Sequence, residues 1–151
     1  MEPTTEPTVS FSLTVKDASN ALDFYAKAFG AEEIYRFPTP EGGIAHAEFM
    51  LGNTRIYISD EAPEWHALAM ADGATASCLF SIMAEDCEKS HHRAIEAGAE
   101  ALSEPQDYFW GTRSSIIKDP YGYRWAFVQR IEDVSPEELE RRAQAYFSTS
   151  E

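Results

Sequence analysis

The sequence predicts an α+β fold: two tandem βαβββ modules whose strands form a curved mixed sheet around a cleft, followed by a C-terminal helix. The first observation behind this is an internal repeat. Phe11, Ser12 and Asp17 recur as Phe80, Ser81 and Asp86, and Leu13 is matched by Ile82, all at an offset of 69. Gly30-Ala31-Glu32 recurs as Gly98-Ala99-Glu100 at 68, and Arg55-Ile56-Tyr57-Ile58 aligns with Arg124-Trp125-Ala126-Phe127 at 69. Two copies are too few for a solenoid and fit one domain built from a doubled module. The second observation is period-2 alternation in the first and last strand of each copy. The third is the capping box Ser135-Pro136-Glu137-Glu138, with proline at the first helical position.

Within the first copy, Met1–Thr8 is Pro-, Thr- and Glu-rich and reads as a flexible tail. Val9 to Val15 alternates small polar with large apolar residues, a half-buried strand. Asp17 is a good N-cap; Ala21, Leu22, Tyr25, Ala28 and Phe29 follow helical spacing, and Gly30 supplies the stop. A strand over Glu32–Phe37 leads to a turn at Pro40–Gly43. Ile44–Leu51 and Thr54–Ser59 read as a hairpin across Gly52-Asn53. Asp60–Gly73 is the linker. The second copy predicts a strand over Thr75–Met83, a helix from Asp86 to Gly98 and a strand near Glu100–Leu102. An irregular aromatic stretch, Pro105–Gly111, and a hairpin turning at Asp119–Gly122 complete it. The modules thus span about 9–60 and 74–131, and residues 132–151 hold the final helix and tail. That helix carries Leu139, Ala143, Tyr146 and Phe147 on one face.

A chain of 151 residues with a formal net charge of −14 is an unpromising partner for nucleic acid or an anionic membrane surface. The charge is compatible with a cationic ligand. No apolar stretch approaches the length of a membrane span. The N-terminus shows no basic and apolar signal pattern, so a cytoplasmic protein is expected. Cys78 and Cys87 form no CxxC motif and read as reduced structural thiols.

The segments LTVKDASNALDFYAKAFGAE, IAHAEFMLGNTRIYISDE and WGTRSSIIKDPYGYRWAF, in this order and spacing, resemble the vicinal oxygen chelate superfamily. That superfamily includes glyoxalase I, extradiol dioxygenases and bleomycin-resistance proteins. The resemblance covers about Val9 to Ile131 and, with the C-terminal EDVSPEELERR, looks most like the PhnB-like branch. It implies the fold stated above and a homodimer. In metal-dependent relatives the ligands are His and Glu from the first and last strand of each module. The matching positions here are Ser10, Tyr57, Leu79 and Ala126, none a good ligand for a divalent metal. No metal and no cofactor are therefore expected.

Parity assigns the faces. Phe11, Leu13, Val15, Ile56, Ile58, Cys78, Phe80, Ile82, Trp125 and Phe127 form an apolar set, expected under the helices. The opposite parity is small, polar or mixed and is expected to line the cleft. Carried into the neighbouring strands, it adds Ile44, His46 and Glu48 and, at the 69 offset, Arg113, Ser115 and Ile117. The expected ligand-binding residues are Tyr57, Trp110, Arg113, Ser115 and Arg124. Tyr108, Phe109 and Trp110 could be hairpin packing or a stacking wall, with Arg113 anchoring a carboxylate or phosphate or paired to Glu48. His46-x-Glu48 is the candidate catalytic pair, since residues two apart on a strand share a face. As a metal centre it lacks a third ligand nearby in sequence, and a structural or ligand-contacting polar pair is the better reading than a metal site.

Two functions follow. One is metal-independent binding or sequestration of a small, cationic or aromatic molecule. The alternative is a lyase or isomerase acting on a small carbonyl compound through His46 and Glu48, with or without a metal.

Overall fold

The computed structural model describes residues 6–149. It forms two compact units with their boundary between Ala74 and Thr75. The first contains β1 (Ser12–Val15), α1 (Ala18–Phe29), β2 (Glu32–Pro38), β3 (Ile44–Leu51) and β4 (Thr54–Asp60), then a 3-10 turn at Pro63–Trp65. The second contains β5 (Leu79–Met83), α2 (Cys87–Glu96), β6 (Glu100–Tyr108), β7 (Thr112–Lys118), β8 (Arg124–Arg130) and α3 (Pro136–Ser148). Each unit holds one four-stranded mixed sheet, ordered β1-β4-β3-β2 and β5-β8-β7-β6. The outer pairs β1–β4 and β5–β8 are parallel and the other pairs antiparallel. The tandem α+β modules are as the repeat predicts. Of the expected tail, Met1–Thr5 lie outside the described residues, as do Ser150 and Glu151.

The helices begin and end for local reasons. The Asp17 carboxylate accepts from Asn20 N at 3.0 Å, and the Asp86 carboxylate accepts from Lys89 N at 3.0 Å. At the end of α1, Gly30 takes φ 72°, and its N–H and that of Ala31 reach back to Ala26 O and Tyr25 O. Asp60 ties α1 to the sheet, accepting from Ala18 N and Ile44 N at 2.7 Å each. Under α1 the core stacks Tyr25 on Phe49 at 5.4 Å, with Leu13, Val15, Ile56 and Ile58 buried around them. Under α2 it contains Trp125, Phe127 and Ile117, with Cys87 contributed by the helix itself. The carboxylate of Asp119, in the β7–β8 turn, accepts from Tyr121 N, Tyr123 N and Trp125 Nε1, which fixes the turn to the core.

Three elements differ from the sequence reading. Strand β6 runs on to Tyr108, through Pro105, where a loop was expected. It is an edge strand with a register shift between Ser103 and Gln106, a place where a missing N–H costs no ladder bond. Strand β5 starts at Leu79, not Thr75. The preceding carbonyls of Ala76 and Ser77 accept instead from the Arg124 guanidinium at 3.1 and 2.8 Å. Cys78, expected under the helix, is exposed just ahead of that shortened strand.

The third difference is one of register. Tyr57 pairs with Glu48, but its repeat mate Ala126 pairs with Ile116. Glu48 therefore corresponds to Ile116 at an offset of 68. The 68 spacing set at Gly30 and Gly98 persists until the longer Asp119–Tyr123 turn restores 69. Ser115 and Ile117 lie opposite Phe127 and Trp125 and so face α2. The face turned away from α2 carries Ser114 and Ile116 instead.

Candidate functional site

In β3, Ala47 and Phe49 are fully buried toward α1, and His46 and Glu48 lie on the opposite parity. Ile44, expected on the cleft face with them, is instead only 3% exposed, with its N–H held by Asp60. Cross-strand register brings Tyr57 beside Glu48 from β4, and Tyr35 and Phe37 beside Glu48 and His46 from β2. Glu48 is only 7% exposed, so its carboxylate needs partners. Tyr35 Oη donates to Glu48 Oε1 at 2.8 Å, and His46 Nε2 contacts the same oxygen at 3.2 Å. Arg55 Nη1 donates to Oε2 at 3.3 Å. Burial by itself would raise the Glu48 carboxyl. The hydrogen bonds from Tyr35 and His46 and the charge of Arg55 outweigh it and hold the group below its ordinary range. The same bond pushes the Tyr35 phenol up.

Aromatic rings surround this carboxylate. Centroid separations are 5.2 Å for Tyr35–Phe37, 6.1 Å for Tyr35–His46 and 5.5 Å for His46–Tyr57. Phe37 is 58% exposed. Continuous with this face through Arg55 and Tyr57 is a groove of about 450 Å³. Its walls are Pro7, Val9, Ser10 and Phe11 on one side and Met50, Asn53 and Thr54 on the other, and Glu6 also lines it. Glu6 and Pro7, read from sequence as tail, thus belong to it.

In the second unit the expected anchors are already engaged. Arg113 is gripped by Asp107 through Nε and Nη2 at 2.7 and 3.2 Å and reaches Glu88 of α2 at 3.4 Å. These contacts correct its placement on the cleft face and its pairing with Glu48. Ser115 is also corrected, because it is 1% exposed and bonds His91 Nδ1 at 2.9 Å beneath α2. Ile117, expected on the same face, is fully buried against α2's side of the sheet. Arg124 caps the carbonyls before β5. Trp110 stacks on Tyr108 at 4.4 Å in the β6–β7 turn, and Tyr146 of α3 packs on Phe109 at 5.1 Å. Ala126, expected on a solvated floor, is 6% exposed between Ser81 and Ile116.

The sequence reading missed the groove and the contribution of Tyr35 and Phe37. Their alternation with Ile34 and Arg36 in β2 was the available signal. Among the described residues, no group of three or more His, Cys, Asp or Glu stands close enough to hold a metal ion.

A family model described as Glyoxalase/Bleomycin resistance protein/Dioxygenase superfamily matches residues 8–127. The chain belongs to this superfamily. An uncharacterized protein of Mycobacterium bovis, Mb0911c, is 30% identical over 138 residues, covering 89% of this chain and 91% of that one. TioX from Micromonospora sp. ML1 superposes with a TM-score of 0.66 at 24% identity, over 82% of this chain and 99% of that chain. The PhnB protein from Bacillus cereus gives 0.64 at 17% identity, over 82% and 98%. At these identities the superfamily structures share the fold, and the chemistry has to be argued from this chain's own residues.

Proposed function

We propose that the protein binds a small, planar molecule on the far face of its first sheet, without a divalent metal. The observation that carries this reading is the groove continuous with the Tyr35–Phe37–His46–Tyr57 face, a concave and largely preformed surface of ligand size. The donor set supports the metal-independent part. Ser10, Tyr57, Leu79 and Ala126 offer a hydroxyl, a phenol and two aliphatic side chains, with no imidazole, carboxylate or thiolate. They do not fit a divalent ion. Binding in this reading is sequestration by stacking on Tyr57 and Phe37, with Glu48 holding the aromatic face in place from below.

A thermal-shift screen tests it. Planar aromatic compounds should raise the melting temperature, and Tyr57→Ala should abolish the rise. Added Zn²⁺, Ni²⁺, Mn²⁺ or Fe²⁺ should leave it unchanged. A metal-dependent rise that Tyr57→Ala spares would overturn the proposal.

The His46–Glu48 contact favours a second reading, a lyase or isomerase on a small carbonyl compound. With Nε2 turned to the carboxylate, Nδ1 is the nitrogen left to move a proton. Proton exchange beside the carbonyl of dihydroxyacetone in D₂O, lost in His46→Gln, would support it. Absence of exchange would leave the binding reading alone.

A homodimer remains the proposed assembly. The exposed α3 residues Tyr146 and Phe147, at 56% and 67%, suit a covered face. No helix among the described residues is long and apolar enough to cross a membrane.

A further inference from the structure

The net charge of −14 draws cations to the molecule, yet the groups that line the groove point the other way. The carboxylate of Glu48 has little left to offer a cation. Oε1 already accepts from Tyr35 and His46 and Oε2 from Arg55, and the residue is nearly buried. What remains accessible is the donor half of the cluster. The Arg55 side chain is 45% exposed, and it spends one Nη1–H on Glu48 at the long distance of 3.3 Å. A guanidinium carries five N–H donors in a planar fork, a shape that matches a carboxylate or phosphate through two parallel bonds. Around it stand Ser10 and Asn53, which can donate, Thr54, whose hydroxyl donates to Asn53 Oδ1 at 3.4 Å, and the ring of Tyr57. Pro7, Val9, Phe11 and Met50 supply an apolar wall. Glu6 is the acidic group on the lining.

We infer that the groove between the Glu6–Phe11 segment and the β3–β4 hairpin is a site for a planar anion, whose carboxylate or phosphate is held by Arg55 and whose body stacks on Tyr57. This deepens the binding reading above and rests on it. Ser10 and Tyr57, two of the positions where metal-dependent relatives place ligands, line the same groove. The positive charge that would meet an anionic ligand group there comes from an arginine of β4.

Three probes of one shape and different charge test it: benzoate, benzamide and benzamidine. Each is titrated into the ¹⁵N-labelled full chain at low salt and followed by amide shifts. Benzoate should move the amides of Ser10, Asn53, Thr54, Arg55 and Tyr57 and bind about tenfold or more tightly than benzamidine. Arg55→Gln should remove that preference, and Arg55→Lys, which keeps the charge and loses the fork, should retain only part of it. Inorganic phosphate should compete with benzoate. Benzamidine binding as tightly as benzoate, benzoate affinity unchanged in Arg55→Gln, or no benzoate shifts at these amides would each overturn the inference. In any of these cases, shifts at Tyr35, Phe37 and His46 with any of the three probes would leave the binding reading standing while the anion assignment fails.

Discussion

Replacing Ser115 by alanine deletes one hydroxyl, and the structure makes that a large change. The hydroxyl is 1% exposed and joins β7 to α2 by two contacts: His91 Nδ1 at 2.9 Å and the Cys87 thiol at 3.8 Å. His91 is itself only 6% exposed, and its Nε2 lies 3.2 Å from the Glu104 carboxylate on β6. Without Ser115 the imidazole keeps Glu104 but loses the partner of its Nδ1 at a buried site. Leaving a buried polar atom unsatisfied costs about 1–3 kcal/mol. For a chain of this size that lowers the melting temperature by roughly 2–12 °C. Ser114 is the control, since register turns it away from α2; Ser114→Ala should stay within about 0.5 kcal/mol. The assay is a melt followed by circular dichroism for each variant, for His91→Ala and for the Ser115–His91 double. The double should cost less than the sum of the singles, because the second substitution removes a group the first has already orphaned. Equal, small losses for Ser114→Ala and Ser115→Ala would refute the 68 register and return Ser115 to the far face.

Gly111→Ala should destabilise the junction between the β6–β7 turn and α3. Gly111 has φ +91°, and a methyl group there would meet Glu132 O at 2.5 Å; about 1–3 kcal/mol is expected by urea titration. Trp125→Phe should lose about 1–3 kcal/mol, because Asp119 loses the Nε1 donor at 2.9 Å while buried at 2% exposure. Glu48 gives a pH dependence. Its carboxyl is held below the ordinary 4.5, so its contribution is complete above that value and is lost as pH falls through the lower folded value. The melting gap between the protein and Glu48→Gln should be widest near neutrality and close in acid; a gap independent of pH would contradict the ionised, hydrogen-bonded carboxylate. Light scattering should give twice the 16.9 kDa chain mass, and a monomer at micromolar concentration would remove the dimer proposal.

The doubled module was legible because repeat spacing, helix caps and strand parity agree on it. Asp17 and Asp86 cap as their residue types demand, and Leu13, Val15, Ile56, Ile58, Trp125 and Phe127 are buried as their alternation requires. Parity also brought His46, Glu48 and Tyr57 to one face. It failed in β7, because one residue added in the Asp119–Tyr123 turn shifts every side chain of the strand to the other face. The polar inlay under α2 was half visible. His91 stands where the first module has Leu22, and Ser115, at the 68 offset, stands where it has Ala47. Two polar replacements on facing buried positions signal a hydrogen bond, but only once the register is right. Arg113 and Arg124 read from sequence as ligand anchors, because the strand extension that pairs Asp107 with Arg113 lay in a stretch expected to be irregular and the Ala76 and Ser77 carbonyls reach Arg124 only through tertiary contact.

Small-molecule binding that needs no divalent metal can be checked by a native mass spectrum and metal analysis of protein freshly purified without a metal-affinity tag. The chain should carry an organic molecule of a few hundred daltons or none, with Zn, Ni, Mn and Fe all far below one per chain. A stoichiometric divalent metal, retained through gel filtration and lost together with ligand binding on chelation, would contradict it.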